Sequence, residues 1–432
     1  MTAPAEASSR GLGDRWGFLS VAVGLGVYGL ASYAYLTVSG RALGVALFAP
    51  LSVLWTLLNA VGIGLFLPLE QELGRTTASL RARRRGNGPA VRAVLATGGA
   101  LLAGVAVVCL VAWPALEARL FHGHAVLVPL LVGGLAGMAV AYAARGLLAG
   151  NSRYPAYGAQ LAVDGVLRVG GAGLLAVLGV REVGAYALVL VLAPLLSVLV
   201  TTRRAGLVAP GEATDAVGLR RAVVALVLAS LASQLLANVG PIIVQLRAAP
   251  HEQVLTAQFT AALTVARVPV FMFAAVQAVL LPGLAALRGA GDLAGFRRRL
   301  GLVTAVTAGL AAAGTLAVWA WGDALVPLLF GDAFSVASVG RGAVTLIALS
   351  GGLFMLAQVA AQALLALSGD RAVGTGWGVG LVALVLTAVV PGPVTTVAAV
   401  ALVVGSAVAL LALAVPLLAR LRVAAATEVD HV

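Results

Sequence analysis

Lysine is absent from this sequence, cysteine occurs once, and charged residues of every kind fill only 10% of 432 positions. Each scarcity excludes something. Soluble domains are about a quarter charged and about half apolar. A chain that is 61% hydrophobic, with a mean hydropathy of +1.05, cannot cover itself with a polar surface. The lone Cys109 lies in an apolar run, which excludes an intramolecular disulfide. The four histidines are scattered: His122 and His124 share one connection, His251 lies in another and His431 at the tail. No metal-ligand spacing follows from them. No connection carries the closely spaced carboxylates of a lipid-dependent glycosyltransferase, and none is long enough to form an acceptor-binding domain. No phosphate-cradling glycine loop follows a strand. The expectation is a protein without catalytic residues, metal or cofactor.

What the chain has in abundance is long apolar runs. A helix needs about 20 apolar residues to cross the hydrocarbon core. Twelve runs qualify, at 16–39, 44–69, 91–113, 126–149, 157–180, 183–201, 220–246, 254–284, 300–321, 342–367, 372–390 and 394–419. Only helices or closed barrels satisfy the backbone in lipid, and runs this long are not barrel strands. The first run exceeds twenty residues and has no small-residue cleavage site, so it reads as a retained helix.

The net charge of +12 would suggest nucleic acid in a soluble protein; here it sets orientation. All 28 basic residues are arginine. Arg41, Arg119, Arg181, Arg247 and Arg341 fall on one set of alternating connections and Arg168 and Arg267 within runs; the other 21 fall on the opposite set. By the positive-inside rule those 21 face the cytoplasm. The expectation is a multi-pass protein of the inner (plasma) membrane with both termini cytoplasmic. The runs Arg81-Ala-Arg83-Arg84-Arg85 and Arg297-Arg298-Arg299 would lie against anionic lipid heads.

The chain also reads as two copies of one six-helix unit, divided into 1–210 and 211–432. After the third run stands Ala112-Trp113, followed by Phe121 and Gly123; after the ninth stands Ala320-Trp321, followed by Phe330-Gly331. The fourth run ends Leu147-Leu148-Ala149-Gly150 before Arg153, and the tenth ends Leu364-Leu365-Ala366 before Arg371. Pro68 and Pro282 close the second and eighth. An even number of helices per copy gives both copies one orientation, and parallel repeats of that kind are a transporter architecture. The expected fold is all-α, about twelve transmembrane helices in two parallel six-helix bundles around a central cavity.

A few polar groups sit at membrane depth, where an arginine costs about 2.5–3.5 kcal/mol and so faces a cavity or a partner. Asp164 and Arg168 stand at i, i+4 on one face of the fifth run. Arg267 lies midway along the eighth, two residues before Pro269. Guanidinium groups suit a phosphate or pyrophosphate head because their planar fork binds such oxygens bidentately. A second reading stays open: Asp164 neutralises Arg168 within its own helix, and Arg267 snorkels or meets a backbone carbonyl. Asp164 reads as the one acidic residue at depth. In the seventh run Gln234, Asn238 and Gln245 form a polar stripe around Gly240-Pro241. The candidate substrate-binding set is therefore Arg267, Arg168, Asp164, Gln234, Asn238 and Gln245.

Five stretches together resemble a known family. They are Pro68-Leu-Glu70-Gln71-Glu72 with Arg75, Arg145-Gly146 through Gly150 to Tyr157-Gly158, Asp164-Gly-Val-Leu-Arg168, Ala266-Arg267-Val-Pro269, and Leu329-Phe330-Gly331-Asp332-Ala-Phe334. In order and spacing they resemble polysaccharide biosynthesis membrane proteins (lipid-linked oligosaccharide flippases) of the multidrug/oligosaccharidyl-lipid/polysaccharide exporter superfamily, in their actinobacterial form. The resemblance implies two six-helix bundles, alternating access, and an undecaprenyl-pyrophosphate-linked glycan as cargo. Relatives that flip the peptidoglycan precursor carry arginine in the first helices and in the eighth. Arg267 matches the eighth by helix, whereas 16–39 holds no arginine. The expected activity is export of a lipid-linked saccharide for envelope polysaccharide, with lipids and that anionic glycan as partners. The alternatives are a cation-coupled multidrug antiporter of the same superfamily, which adds a coupling cation, and a non-transporting membrane scaffold of a polysaccharide assembly complex.

Overall fold

The structure is a computed structural model describing residues 4–203, 206–211, 215–249, 252 and 254–429; Arg204, His251 and His431 lie outside the described residues. Every regular element described is helical. In order these are α1 (Pro4–Leu57), a π-helical segment (Leu58–Ile63), α2 (Gly64–Ala82), α3 (Gly88–Val111), α4 (Trp113–Ala115) with a second π segment (Leu116–Leu120), α5 (Leu127–Gly150), α6 (Tyr154–Val177) and α7 (Val183–Thr202). Then come α8 (Ala216–Asn238), α9 (Gly240–Arg247), α10 (Val254–Ala266), α11 (Val268–Gly289), α12 (Leu293–Phe330), two 3₁₀ turns (Asp332–Phe334 and Val336–Ser338), α13 (Arg341–Ala366), α14 (Asp370–Ala388) and α15 (Val394–Val429).

Among the described residues, 10 helices are long and apolar enough to cross a membrane. The first of them, Leu19–Ala82, is 64 residues long, three times what a bilayer needs. It divides at Gly44, whose φ of 72° and ψ of 172° are not helical and are open to glycine almost alone. Two spans result. The expected eighth span is built from two helices, α10 and α11, so twelve apolar segments remain, as the sequence indicates. Pro269 explains the break: it has no N–H to give and is tolerated as the second residue of α11 but not in a helix interior.

The chain divides into two compact units, Met1–Ser230 and Leu231–Val432. The division falls within α8, further along the chain than the sequence break at 210. In unit 1, α1 lies along α6 and α2 along α5, while α7 packs on both α5 and α6. The α1–α6 contact is a close backbone approach. A methyl group on Gly24 would overlap the Gly158 carbonyl, and one on Gly158 would overlap the Ser20 carbonyl. Lipid offers no hydrophobic drive for helix pairing, so such small-residue contacts, rich in dispersion, hold membrane helices together. Gly146 of α5 is pressed against the Glu70 backbone of α2 in the same way. Several glycines in the sequence motifs are thus packing residues.

In unit 2, α15 packs on α13 and α14, and α12 on α13. Large apolar side chains remain outside, among them Val111 (78% exposed), Val177 (87%) and Val389 (70%). Exposed apolar surface on this scale is suited to lipid and not to water. The ten apolar helices make the chain a multi-pass membrane protein.

Candidate functional site

Charged side chains in the interior form two networks in unit 1, and Arg267 joins a polar cluster in unit 2. In unit 1 the organising element is α6. Tyr157, Gln160, Asp164 and Arg168 recur along it at helical spacing, so they line one face. Asp164 is 1% exposed and Arg168 5%. The guanidinium grips the carboxylate with both prongs, Nε to Oδ1 at 2.8 Å and Nη2 to Oδ2 at 3.3 Å. Its cationic carbon lies 5.0 Å from the Tyr28 ring centre and 5.8 Å from that of Trp55. Trp55 in turn stacks on Tyr35 at 5.6 Å. Asp164 therefore neutralises Arg168 within its own helix, and aromatic faces wrap the cation.

One turn towards the start of α6 a second network begins. Gln160, fully buried, donates from Nε2 to Ser197 Oγ of α7 at 3.0 Å and accepts from Arg145 Nη1 of α5 at 3.4 Å. Arg145 donates from Nε to Glu70 Oε2 of α2 at 2.9 Å, and its guanidinium lies 4.0 Å from the Tyr142 ring centre. The other oxygen of Glu70 accepts from the Tyr157 hydroxyl at 2.6 Å. Four helices, α2, α5, α6 and α7, are joined by five side chains. Each charge is matched, as burial requires.

Two sequence expectations change here. Arg145, counted among the connection arginines, lies inside α5, is 5% exposed and belongs to a tertiary ion pair. Asp164 is also not the one acidic residue shielded among the helices. The Glu70 side chain is 11% exposed within this network, and Glu72 is 2% exposed and paired with Arg75 at 2.6 Å. Glu70, Arg145, Tyr157 and Gln160 were not among the candidate residues. The first three stood only in the motifs that carried the family resemblance.

Unit 2 is arranged differently. Arg267 occupies the junction of α10 and α11 with φ −94° and ψ 1°. From this half-buried position its Nη1 donates to Asn238 Oδ1 of α8 at 2.7 Å. Asn238 donates to the Gln234 carbonyl at 2.9 Å and to Gln234 Oε1 at 3.2 Å. The structure thus brings together Arg267, Asn238 and Gln234, while Gln245 is buried in the following short helix α9. No aspartate or glutamate stands between positions 253 and 291. Asp164 and Arg168 belong to unit 1 and the other four candidates to unit 2.

Among the described residues no group of three or more His, Cys, Asp or Glu could hold a metal ion. A recess of about 550 Å3 is lined by His124, Arg181, Glu182 and apolar neighbours, and by none of the residues named above.

No family model matches the chain, and no curated protein matches it. Solved structures do. One is the inward-facing conformation of a multidrug resistance MATE family transporter of the MOP superfamily, with a TM-score of 0.73 over 95% of this chain and 99% of that one at 13% identity. A mutant of a MATE transporter from Vibrio cholerae gives 0.68 over 96% and 98% at 15% identity. A MOP superfamily transporter from Pyrococcus furiosus gives 0.65 over 94% of each chain, also at 15%. At such identities the likeness is one of fold: this chain has the helical architecture of the MATE transporters.

Proposed function

We propose that the chain is a membrane transporter working by alternating access, in which a cation moving one way is coupled to export of an amphiphilic organic substrate. The observation that carries this reading is the buried Asp164–Arg168 ion pair of unit 1, with the largely buried Glu70–Arg145 pair near it on α2 and α5. A proton or cation arriving at Asp164 competes with Arg168 for the same oxygens. Neutralising the carboxylate strands a buried guanidinium, a cost of several kcal/mol that favours a rearrangement admitting water or substrate. Support comes also from the fold, since proteins sharing it have been seen in inward- and outward-facing conformations.

The test is efflux of a cationic dye from proteoliposomes driven by a pH or sodium gradient. Asp164→Asn is expected to lower gradient-driven efflux at least about tenfold while the protein stays monodisperse. Unchanged efflux in that variant would overturn the reading.

A second reading, outward flipping of a lipid-linked saccharide for envelope polysaccharide, is favoured by one specific observation. Arg267 sits half-buried at a helix junction beside two amides, in a stretch of sequence without acids. That is suitable chemistry for a pyrophosphate head group. For the Pyrococcus furiosus transporter, reverse polarity of the binding pocket suggests a different function on the same fold. Depleting the protein and analysing lipids separates the two readings. A lipid-linked oligosaccharide accumulating on the inner leaflet supports flipping; an unchanged lipid profile with lost dye efflux supports the antiporter.

A further inference from the structure

The connection between α7 and α8 does not hang free along its length. Asn87, 5% exposed at the start of α3, grips it with both ends of its amide. Nδ2 donates to the Leu207 carbonyl at 3.0 Å, and Oδ1 accepts from the Ala209 N–H at 2.9 Å. The backbone adds a third bond, from Gly88 N–H to the Ala209 carbonyl at 2.9 Å. Asn151, just past α5, donates to the same Leu207 carbonyl at 3.2 Å. The fit is close enough to require glycine: a methyl on Gly86 would overlap the Pro210 carbonyl oxygen, and one on Gly211 would overlap Gly86. Residues 206–211 are therefore docked on the turn before α3 by polar pairing and by shape.

The length of chain left over gives this contact a consequence. Unpinned, residues 203–215 could span about 45 Å at 3.3–3.6 Å per residue. With the chain fixed as far as Gly211, only residues 212–215 remain before α8, a reach of about 14 Å. Helix α8 starts in unit 1 and runs past Ser230 into unit 2. We infer that the Asn87 clasp is a tether-shortening device: Asn87 is a positioning residue that sets how far the start of α8 can travel from the start of α3. The functional importance of that travel rests on the transporter reading; the tether itself does not.

The experiment uses the full chain in lipid nanodiscs with Cys109 replaced by alanine and spin labels at Arg92 and Arg220, both exposed. Asn87→Ala is expected to widen the label-to-label distance distribution at least about twofold. It should also speed hydrogen exchange at the Gly88 and Ala209 amides at least about tenfold, the effect of removing about one buried hydrogen bond's worth of protection. Asn87→Asp keeps the acceptor for Ala209 and loses the donor to Leu207, so it should fall between. Exchange that accelerates with no change in distances overturns the proposal, as does exchange that does not accelerate. If distances widen but neither dye nor lipid is moved by any form of the protein, the transporter reading fails and the tether stands.

Discussion

The two units are both built of apolar helices but keep charge in different ways. Unit 1 holds Asp164–Arg168 and Glu70–Arg145 as matched pairs in its interior, each backed by an aromatic ring. Unit 2 keeps Arg267 at a helix junction, half-buried, with the neutral amides Asn238 and Gln234. The difference shows what each arrangement is able to do. Matched pairs are electrically silent until a proton or cation disturbs one member, so unit 1 suits a switch. Arg267 donates to a neutral amide, and under the flipping reading its guanidinium would meet an anionic visitor.

The largest effect expected is from Arg168→Ala, which leaves Asp164 charged and uncompensated. Removing one partner of a buried pair costs about 3–5 kcal/mol. The variant should be poorly folded by size-exclusion chromatography, and adding Asp164→Asn should restore much of the folded yield without restoring transport. A folded Arg168→Ala protein of normal melting temperature would break the contrast. Next in size is Glu70→Gln, which keeps the Tyr157 contact but strands the Arg145 charge. We expect about 2–4 kcal/mol of destabilisation, read as a fall in melting temperature in detergent.

Loss of the Arg267–Asn238 bond in Arg267→Ala should cost about 1 kcal/mol, since Asn238 keeps its bonds to Gln234. Its functional effect separates the readings. Lost lipid-linked saccharide export with intact dye efflux places an anion site in unit 2; the reverse removes it. Arg267→Lys keeps the charge but not the fork, so partial rescue would indicate simple charge and failure would indicate bidentate recognition. The smallest effect is at the surface. Arg341 and Asp323 lie 3.5 Å apart with both side chains more than half exposed, so Arg341→Ala should shift stability by less than about 0.5 kcal/mol.

Much of the fold was legible because lipid imposes a simple rule, and runs of about 20 apolar residues declare themselves. The Asp164–Arg168 pair was legible too, being local to one helix at i, i+4. The Glu70 network was not. Arg145 lies 75 residues from Glu70 in sequence, and Tyr157 lies 87 from it. Position alone made Arg145 one more arginine near a span end. Only tertiary packing separates an arginine that faces lipid heads from one sealed between four helices. Gln234, Asn238 and Arg267 were each singled out by depth, and the Arg267–Asn238 bond joins elements 29 residues apart across the turn between α9 and α10. The helix break at Arg267 coincides with Pro269, although 254–284 reads in the sequence as one span.

The π-helical segment Leu58–Ile63 sets Glu70 in register. It joins α1 to α2 with helical backbone at both ends, so the join is continuous yet carries a surplus of chain relative to an α-helix of the same length. Trp55 on its near side faces Arg168, and Glu70 on its far side faces Arg145. Deleting one residue within 58–63 would remove that surplus and close the segment into ordinary α-helix with Glu70 near its present facing. Deleting one from the regular helix at 64–69 would instead turn everything beyond it by about 100°. Glu70 itself would be unchanged, yet it would face away from Arg145. At this point in the chain, frame matters more than identity: a single-codon deletion should be mild within 58–63 and should act like the loss of the ion pair within 64–69.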